Sequence, residues 1–160
     1  MNLAEVQQYI TDSSPESRIY LGCDSERILV DGVWMVDFCL AVVIHINGNN
    51  GGKVFGGIVR ERDYDKKLSR PALRLMTEVY KLSELYLELA DVLEDRLVEL
   101  HCDINPSESY GSSCVAAAAI GYIKGTCAIT PVIKPNAWCA SNVADRGIRG
   151  KMLFPKMGIT

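Results

Sequence analysis

Four carboxylates in this chain have the type and placement to work together: Asp24, Glu78, Asp103 and Asp145. Asp24 closes the β-rich run Arg18 to Asp24, directly after Ile19, Leu21 and Cys23. The C-terminal end of a strand is where α/β sheets place their ligands. Glu78 lies in a helical stretch on the side of Leu75, Leu82 and Leu85, while Thr77, Lys81, Glu84, Glu88 and Asp91 take the polar side. A carboxylate on the buried side needs a cation, a metal or hydrogen bonds to offset its desolvation. Asp103 ends a further strand in Leu100-His101-Cys102-Asp103-Ile104-Asn105-Pro106. If that strand lies beside the first, Asp103 faces Asp24, and two carboxylates that close repel unless a metal sits between them. Asp145 rides a last helix with Trp138, Ser141 and Asn142 on its side. Together the four offer the hard oxygen ligands that Mg²⁺ or Mn²⁺ takes. Two such ions about 4 Å apart stabilise the attacking and the leaving oxygen of an in-line phosphoryl displacement.

Each residue also has a plainer reading. Asp24 before Ser25 can form a turn. Glu78 can pair with an arginine. Asp103 can cap a strand end, and Asp145 can bridge to Arg146 or Arg149 on its own helix. His101 shares the face of Asp103 and reads as a packed or hydrogen-bonded histidine, not a ligand.

The elements that must position these groups follow from local pattern. Asn2 with Glu5 reads as a capping box opening a short helix over residues 2–10, with Leu3, Val6 and Ile10 on one side, before a linker at 11–17. Three strands, Arg18 to Asp24, Val33 to Ile46 and Lys53 to Arg62, are joined by turns at Asp31-Gly32 and Asn47 to Gly52 and form an antiparallel meander. The period then changes. Ser69 caps a helix with Pro71 in its first turn, and Leu75, Val79, Leu82, Tyr86, Leu89 and Leu93 recur at alternating steps of four and three. A fourth strand spans Arg96 to Ile104. An alanine-rich helix, Ser112 to Lys124, is stopped by Gly125. A fifth strand covers Ala128 to Ile133, and Asn136 caps a last helix ending near Gly147. Crossover connections make the fourth and fifth strands parallel to the first, giving a mixed five-stranded α/β sheet covered by helices.

The bulk properties agree with one domain over residues 1–160, with 48% hydrophobic and 23% charged residues. The longest apolar stretches, Phe38 to Ile44 and Cys114 to Ile120, are too short to span a bilayer. No signal-peptide pattern opens the chain, so a cytoplasmic location is expected. Six cysteines (Cys23, Cys39, Cys102, Cys114, Cys127, Cys139) form no C-x-x-C pair and read as reduced thiols, which disfavours both disulfides and zinc. The net charge of −3 argues mildly against non-specific nucleic-acid affinity. Yet bases dominate from Lys124 onward (Lys124, Lys134, Arg146, Arg149, Lys151, Lys156, against Asp145). A second basic stretch holds Arg60, Arg62, Lys66, Lys67, Arg70 and Arg74, diluted by Glu61, Asp63 and Asp65. Two basic stretches flanking an acidic pocket suit a polyanionic substrate.

With these residues in place the chain resembles the ribonuclease-H-like superfamily, and within it the YkuK family. The stretches that carry the resemblance are Ile19-Tyr-Leu-Gly-Cys-Asp24-Ser, Arg74-Leu-Met-Thr-Glu78-Val-Tyr, Leu100-His-Cys-Asp103-Ile-Asn-Pro106, Gly121-Tyr-Ile-Lys-Gly125 and Lys134-Pro-Asn-Ala-Trp-Cys-Ala-Ser-Asn-Val-Ala-Asp145-Arg. The resemblance implies a strand order of 3-2-1-4-5 with strand 2 antiparallel. It also implies an Asp-Glu-Asp-Asp metal site matched by Asp24, Glu78, Asp103 and Asp145, and a metal-dependent nuclease acting on RNA, DNA or their hybrid. Ribonucleases H often keep a histidine in the loop before the last helix; here that loop has Lys134, a candidate for assisting the scissile phosphate or product release. The helical protrusion that grips hybrid duplexes is missing. A proofreading-type 3′–5′ exonuclease is the first alternative, since Asp24-Ser25-Glu26 matches that group's Asp-x-Glu. That group also needs a Tyr four residues, or a His five residues, before its last aspartate, where this chain has Ser141 and Ala140. The second alternative is a non-catalytic nucleic-acid or protein-binding module on the same fold. An actin-like ATPase is disfavoured by the chain's size and the lack of a glycine-rich phosphate loop.

Overall fold

The computed structural model describes residues 1–48 and 51–159. Two long strands, β1 (Arg18–Val30) and β2 (Val33–His45), pair antiparallel from Arg18↔His45 to Val30↔Val33. Asp31 and Gly32 turn the chain with φ of 48° and 78°, the double positive φ that a two-residue Asp-Gly hairpin requires. β3 (Gly52–Arg62) pairs antiparallel with β2 on its other side. Of the second expected turn, Asn49 and Asn50 lie outside the described residues. The first strand therefore continues six residues past Asp24, because its hairpin partner continues to Val33.

Helix α1 (Leu3–Asp12) opens with the Asn2 side chain accepting from the Glu5 N–H at 3.4 Å and buries Val6 and Ile10. Helix α2 (Ala72–Leu93) buries Leu75, Glu78, Val79, Leu82, Leu85, Leu89 and Leu93 along one stripe. Its N-terminus is not capped by Ser69. Instead the Asp65 carboxylate accepts from the Leu73 and Arg74 N–H groups at 3.1 and 2.7 Å, across the intervening loop. β4 (Val98–Cys102) runs parallel to β1, from Ile19↔Val98 to Cys23↔Cys102. A 3₁₀ turn (Gly111–Val115) leads into α3 (Ala116–Cys127), which passes through Gly125 and ends at Ala128 in the left-handed region with φ 56°.

The expected fifth strand at 128–133 is reduced to a short parallel contact beside β4. Val132 N–H donates to the Leu100 carbonyl at 2.8 Å, Cys102 N–H to Val132 at 2.9 Å, and Lys134 N–H to Ile104 at 3.0 Å. Pro131 has no N–H to donate, which shortens the ladder at its start. The fifth strand of the sheet is β5 (Lys156–Ile159), parallel to β3 on the opposite edge, so the order is β4-β1-β2-β3-β5. The architecture remains the expected one: a mixed five-stranded sheet flanked by helices.

Residues alternate between the two faces of this sheet. Ile19, Leu21 and Cys23 pack toward α1, α2 and α3, joined by fully buried Leu82, Leu89, Leu100 and Ile123. A Leu or Ile buried this completely contributes about 1.5–3 kcal/mol. On the other face Tyr20, Cys39, Ala41 and Val43 meet Cys139 and Ala144. That last segment is a π-helical turn (Cys139–Ala144) running into one α-helical turn, α4 (Asp145–Ile148). Asn136 is not its cap; the Trp138 N–H bonds the Asn136 carbonyl at 3.0 Å instead. The backbone of this turn lies directly on β1. A Cβ at Gly22 would stand 2.6 Å from Ala140 N, so only glycine permits the approach.

Candidate active site

Parallel pairing of β1 with β4 stops at Cys23↔Cys102, and the next residue on each strand is Asp24 and Asp103. The two carboxylates emerge side by side where the ladder ends. Glu78 reaches the same edge from α2 on one face of the sheet, and Asp145 from α4 on the other. All four, with Lys134, line one cleft of about 440 Å³, together with Ser25, Glu26, Arg74 and Arg149.

Their partners differ. Asp24 accepts from the Ser25 N–H at 2.9 Å. Glu78 is buried and accepts from the Ser25 hydroxyl. Arg74, one helical turn before Glu78, donates through Nη1 to the Ser25 carbonyl at 2.9 Å and to its Oγ at 2.8 Å, and stands 3.9 Å from Glu78 Oε1. Asp103 Oδ1 accepts from the Ser141 hydroxyl at 2.7 Å and lies 3.0 Å from Lys134 Nζ. Asp145 pairs with Arg149 at 2.7 Å. The pairing with Arg149 that the sequence allowed is thus present, and so is an arginine near Glu78.

Electrostatically the cleft is in conflict. Burial, then the charge of Asp103 and of Asp145, pushes the Asp24 carboxyl up to about 7. Burial and the charge of Asp24 raise Glu78 well above the usual carboxylate range. The thiols next to the site are inert: burial pushes Cys102 up to about 12 and raises Cys23 as well. All six cysteines are free, five of them buried and Cys114 exposed. His101, as expected, is a packed group: its Nε2 lies 2.8 Å from Glu99, and its Nδ1 accepts from the Cys139 N–H at 3.0 Å.

As the side chains stand, no three His, Cys, Asp or Glu among the described residues are grouped to hold a metal ion. Asp103 is turned to Lys134 and Asp145 to Arg149, so the protein's own cations take up the negative charge. The donor set nonetheless fits a hard divalent cation: four carboxylate groups in one cleft, two of them raised by burial and by neighbouring carboxylate charge. The competing cations are partly exposed side chains, 38% for Lys134 and 62% for Arg149, and such pairs are weak enough to exchange. The sequence gives no sign that Ser25 partners these carboxylates, whereas Glu26 is the second acid of the Asp-x-Glu pattern. For Arg74 the one sign is its place at i−4 from Glu78 on one helix face.

The chain belongs to the ribonuclease H-like family, whose description matches residues 2–149, and to the YkuK branch that the sequence resembled. No curated protein matches it. No solved structure does either. The family gives the chain a nuclease-like fold. Among the described residues no helix is long and apolar enough to cross a membrane.

Proposed function

We propose that the chain is a divalent-metal-dependent nuclease that hydrolyses phosphodiester bonds in nucleic acid. One observation carries this reading: the carboxylates converge on a single cleft, where burial, together with the charge of Asp103 and Asp145, lifts Asp24 to about 7. A purely structural site has no reason to keep like charges facing one another. Asp24, Glu78, Asp103 and Asp145 would hold Mg²⁺ or Mn²⁺. Such ions, when bound, neutralise the phosphate and lower the pKa of a bound water.

The chain's own residues do the rest. Arg74 and Ser25 hold Glu78 at the cleft wall, so its position does not depend on a flexible side chain. Ser141 orients Asp103. Lys134 stands at the rim with its ammonium on Asp103, where an incoming phosphate competes for it. The exonuclease reading draws some support from Glu26, which lines the cleft two residues after Asp24. The non-catalytic reading makes the opposite prediction about metal. A panel of labelled RNA, DNA and hybrid substrates with Mg²⁺, Mn²⁺ or EDTA, run on wild type and Asp24→Asn, tests all three. Metal-dependent cleavage that Asp24→Asn abolishes supports the proposal; equal cleavage by both proteins overturns it, and so does a lack of divalent-metal binding.

A further inference from the structure

The cleft does not end at the carboxylates. A hollow of about 780 Å³ beside the start of α3 adjoins it, sharing Ser69 and Gly111 and carrying Arg70 and Tyr110. A second hollow, of about 400 Å³, beside the start of α2 shares Arg74 with the cleft and carries Arg62 and Tyr64. Tyr64 is 68% exposed and Tyr110 57%, so both rings have faces open to a ligand. A third ring, Trp34, is 47% exposed beside the second hollow, where its carbonyl accepts from the Asp63 N–H at 3.0 Å. Two of these rings already carry guanidinium groups: Arg27 lies 4.3 Å from the Trp34 centroid and Arg62 5.9 Å from that of Tyr64.

The acids of the second hollow already have partners, while the bases of the connecting segment are exposed. In the second hollow Asp63 is taken by Arg27, Glu61 by Lys81, and Asp65 by the backbone of α2. Arg62, Lys66, Lys67 and Arg70 stay exposed on the connecting segment. Glu26 and Glu108 are the exposed acids on these walls. A basic rim with aromatic rings at intervals is how proteins hold a strand whose bases are unpaired: cations follow the phosphates and rings stack on bases. Bases inside a duplex have both faces covered and gain little from such rings.

We infer that the three adjoining depressions form a track for single-stranded nucleic acid, with Tyr64 and Tyr110 stacking bases on either side of the carboxylates. This rests on the nuclease reading for the chemistry at its centre, but binding is testable apart from it.

The test is fluorescence anisotropy in EDTA with labelled oligothymidylate, labelled oligouridylate and a blunt duplex of equal length, the first two separating DNA from RNA. Wild type is compared with Tyr64→Ala, Tyr110→Ala and the corresponding Phe variants. The expected result is tighter binding of a single strand than of duplex, weakened roughly tenfold by each Ala change, the size of one base–aromatic stack. The Phe variants should bind as wild type does, because the ring rather than the hydroxyl carries the contact. Both tyrosines are exposed, so the variants should melt as wild type does. No single-strand binding, preference for duplex, or equal binding by the Ala variants would each overturn the track. Parallel cleavage assays in Mn²⁺ separate the two ideas. Duplex cleavage unaffected by the Ala changes removes the track and keeps the nuclease. Tyrosine-dependent binding of single strands without cleavage keeps the track and removes the nuclease.

Discussion

The same face of the same two strands carries two polar clusters of opposite character. Near its start, β1 offers Tyr20 and β4 offers His101, and these pack with His45 and Trp138 at ring centroid separations of 4.7–5.7 Å. Four residues beyond Tyr20 and two beyond His101 stand Asp24 and Asp103. In the first cluster each nitrogen of the buried His101 has its complement, one with Glu99 and one with a backbone N–H. In the second, carboxylates face carboxylates, and the relief comes from Lys134, Arg149 and the Ser25–Arg74 pair. Burial alone does not mark a functional polar group. Burial among groups of the same sign does, because evolution can replace such a charge at no structural cost.

The largest effect that sharpens this contrast is on activity. Asp24→Asn should lower cleavage by more than about a hundredfold, since metal charge stabilisation is worth several kcal/mol of barrier. His101→Leu should leave the residual chemistry in place but lose about 2–4 kcal/mol of stability, by orphaning the buried Cys139 N–H and disturbing the aromatic packing. Guanidinium unfolding with cleavage measured beside it reads both. A destabilised Asp24→Asn or a stable, inactive His101→Leu would reverse the roles assigned to the clusters.

Next is the dependence of stability on pH. Asp24 holds its proton up to about 7 in the folded chain and only to about 4 unfolded. Between those values the folded state binds more protons, so this group's contribution falls as pH rises. Burial lowers the pKa of His101, so the unfolded state binds more protons below about 6.5, and the contribution of His101 falls as pH drops. The two clusters therefore tilt the curve in opposite directions. Asp24→Asn should be more stable than wild type at pH 7.5, by at most about 4 kcal/mol before solvent screening, with the gap closing toward pH 4. Melting curves at both pH values check it. A wild type more stable than Asp24→Asn at pH 7.5 would show that the carboxylate is structural.

The smallest effect belongs to the rim. Lys134→Ala should slow turnover several-fold while Mn²⁺ binds no more weakly, because the ammonium no longer competes for Asp103. Titration calorimetry and single-turnover rates separate the two. Unchanged turnover removes Lys134 from the mechanism, and weaker Mn²⁺ binding would show that it organises the site.

Much of this was legible in the chain. Alternating and continuous apolar runs marked β1 to β4, and the four-three leucine pattern placed Glu78 on the buried side of α2. Asp24 and Asp103 come together as their parallel pairing implies, although what ends before Asp24 is the ladder with β4 and not β1 itself, which runs on to Val30. What stayed hidden was set by groups distant in sequence. Asp65 caps α2 from across a loop, so the local signal at Ser69 misled. Lys156–Ile159 has no strand pattern of its own and is held by β3, whereas 128–133 has a pattern but too few donors. The partners of the site, Ser25 and Ser141, are short hydroxyl residues whose sequence context says nothing about which carboxylate they reach.

The widened turn before Asp145 changes how positions along it are counted. The Asp145 N–H bonds the carbonyl of Ala140, five residues back, where regular helix geometry would have chosen Ser141. The neighbour one turn above the last carboxylate is therefore Ala140, fully buried with its backbone on Gly22 of β1. An imidazole or phenol at that step has nowhere to go without lifting the whole turn off the strand. Motifs that fix a helper residue by a set number of places before the aspartate assume a particular winding, and this chain is wound one residue looser. Its last carboxylate is held close to the sheet because the backbone of Cys139 and Ala140 fills the space that a side chain at Gly22 would take, while Cys139 and Ala144 pack on the same face.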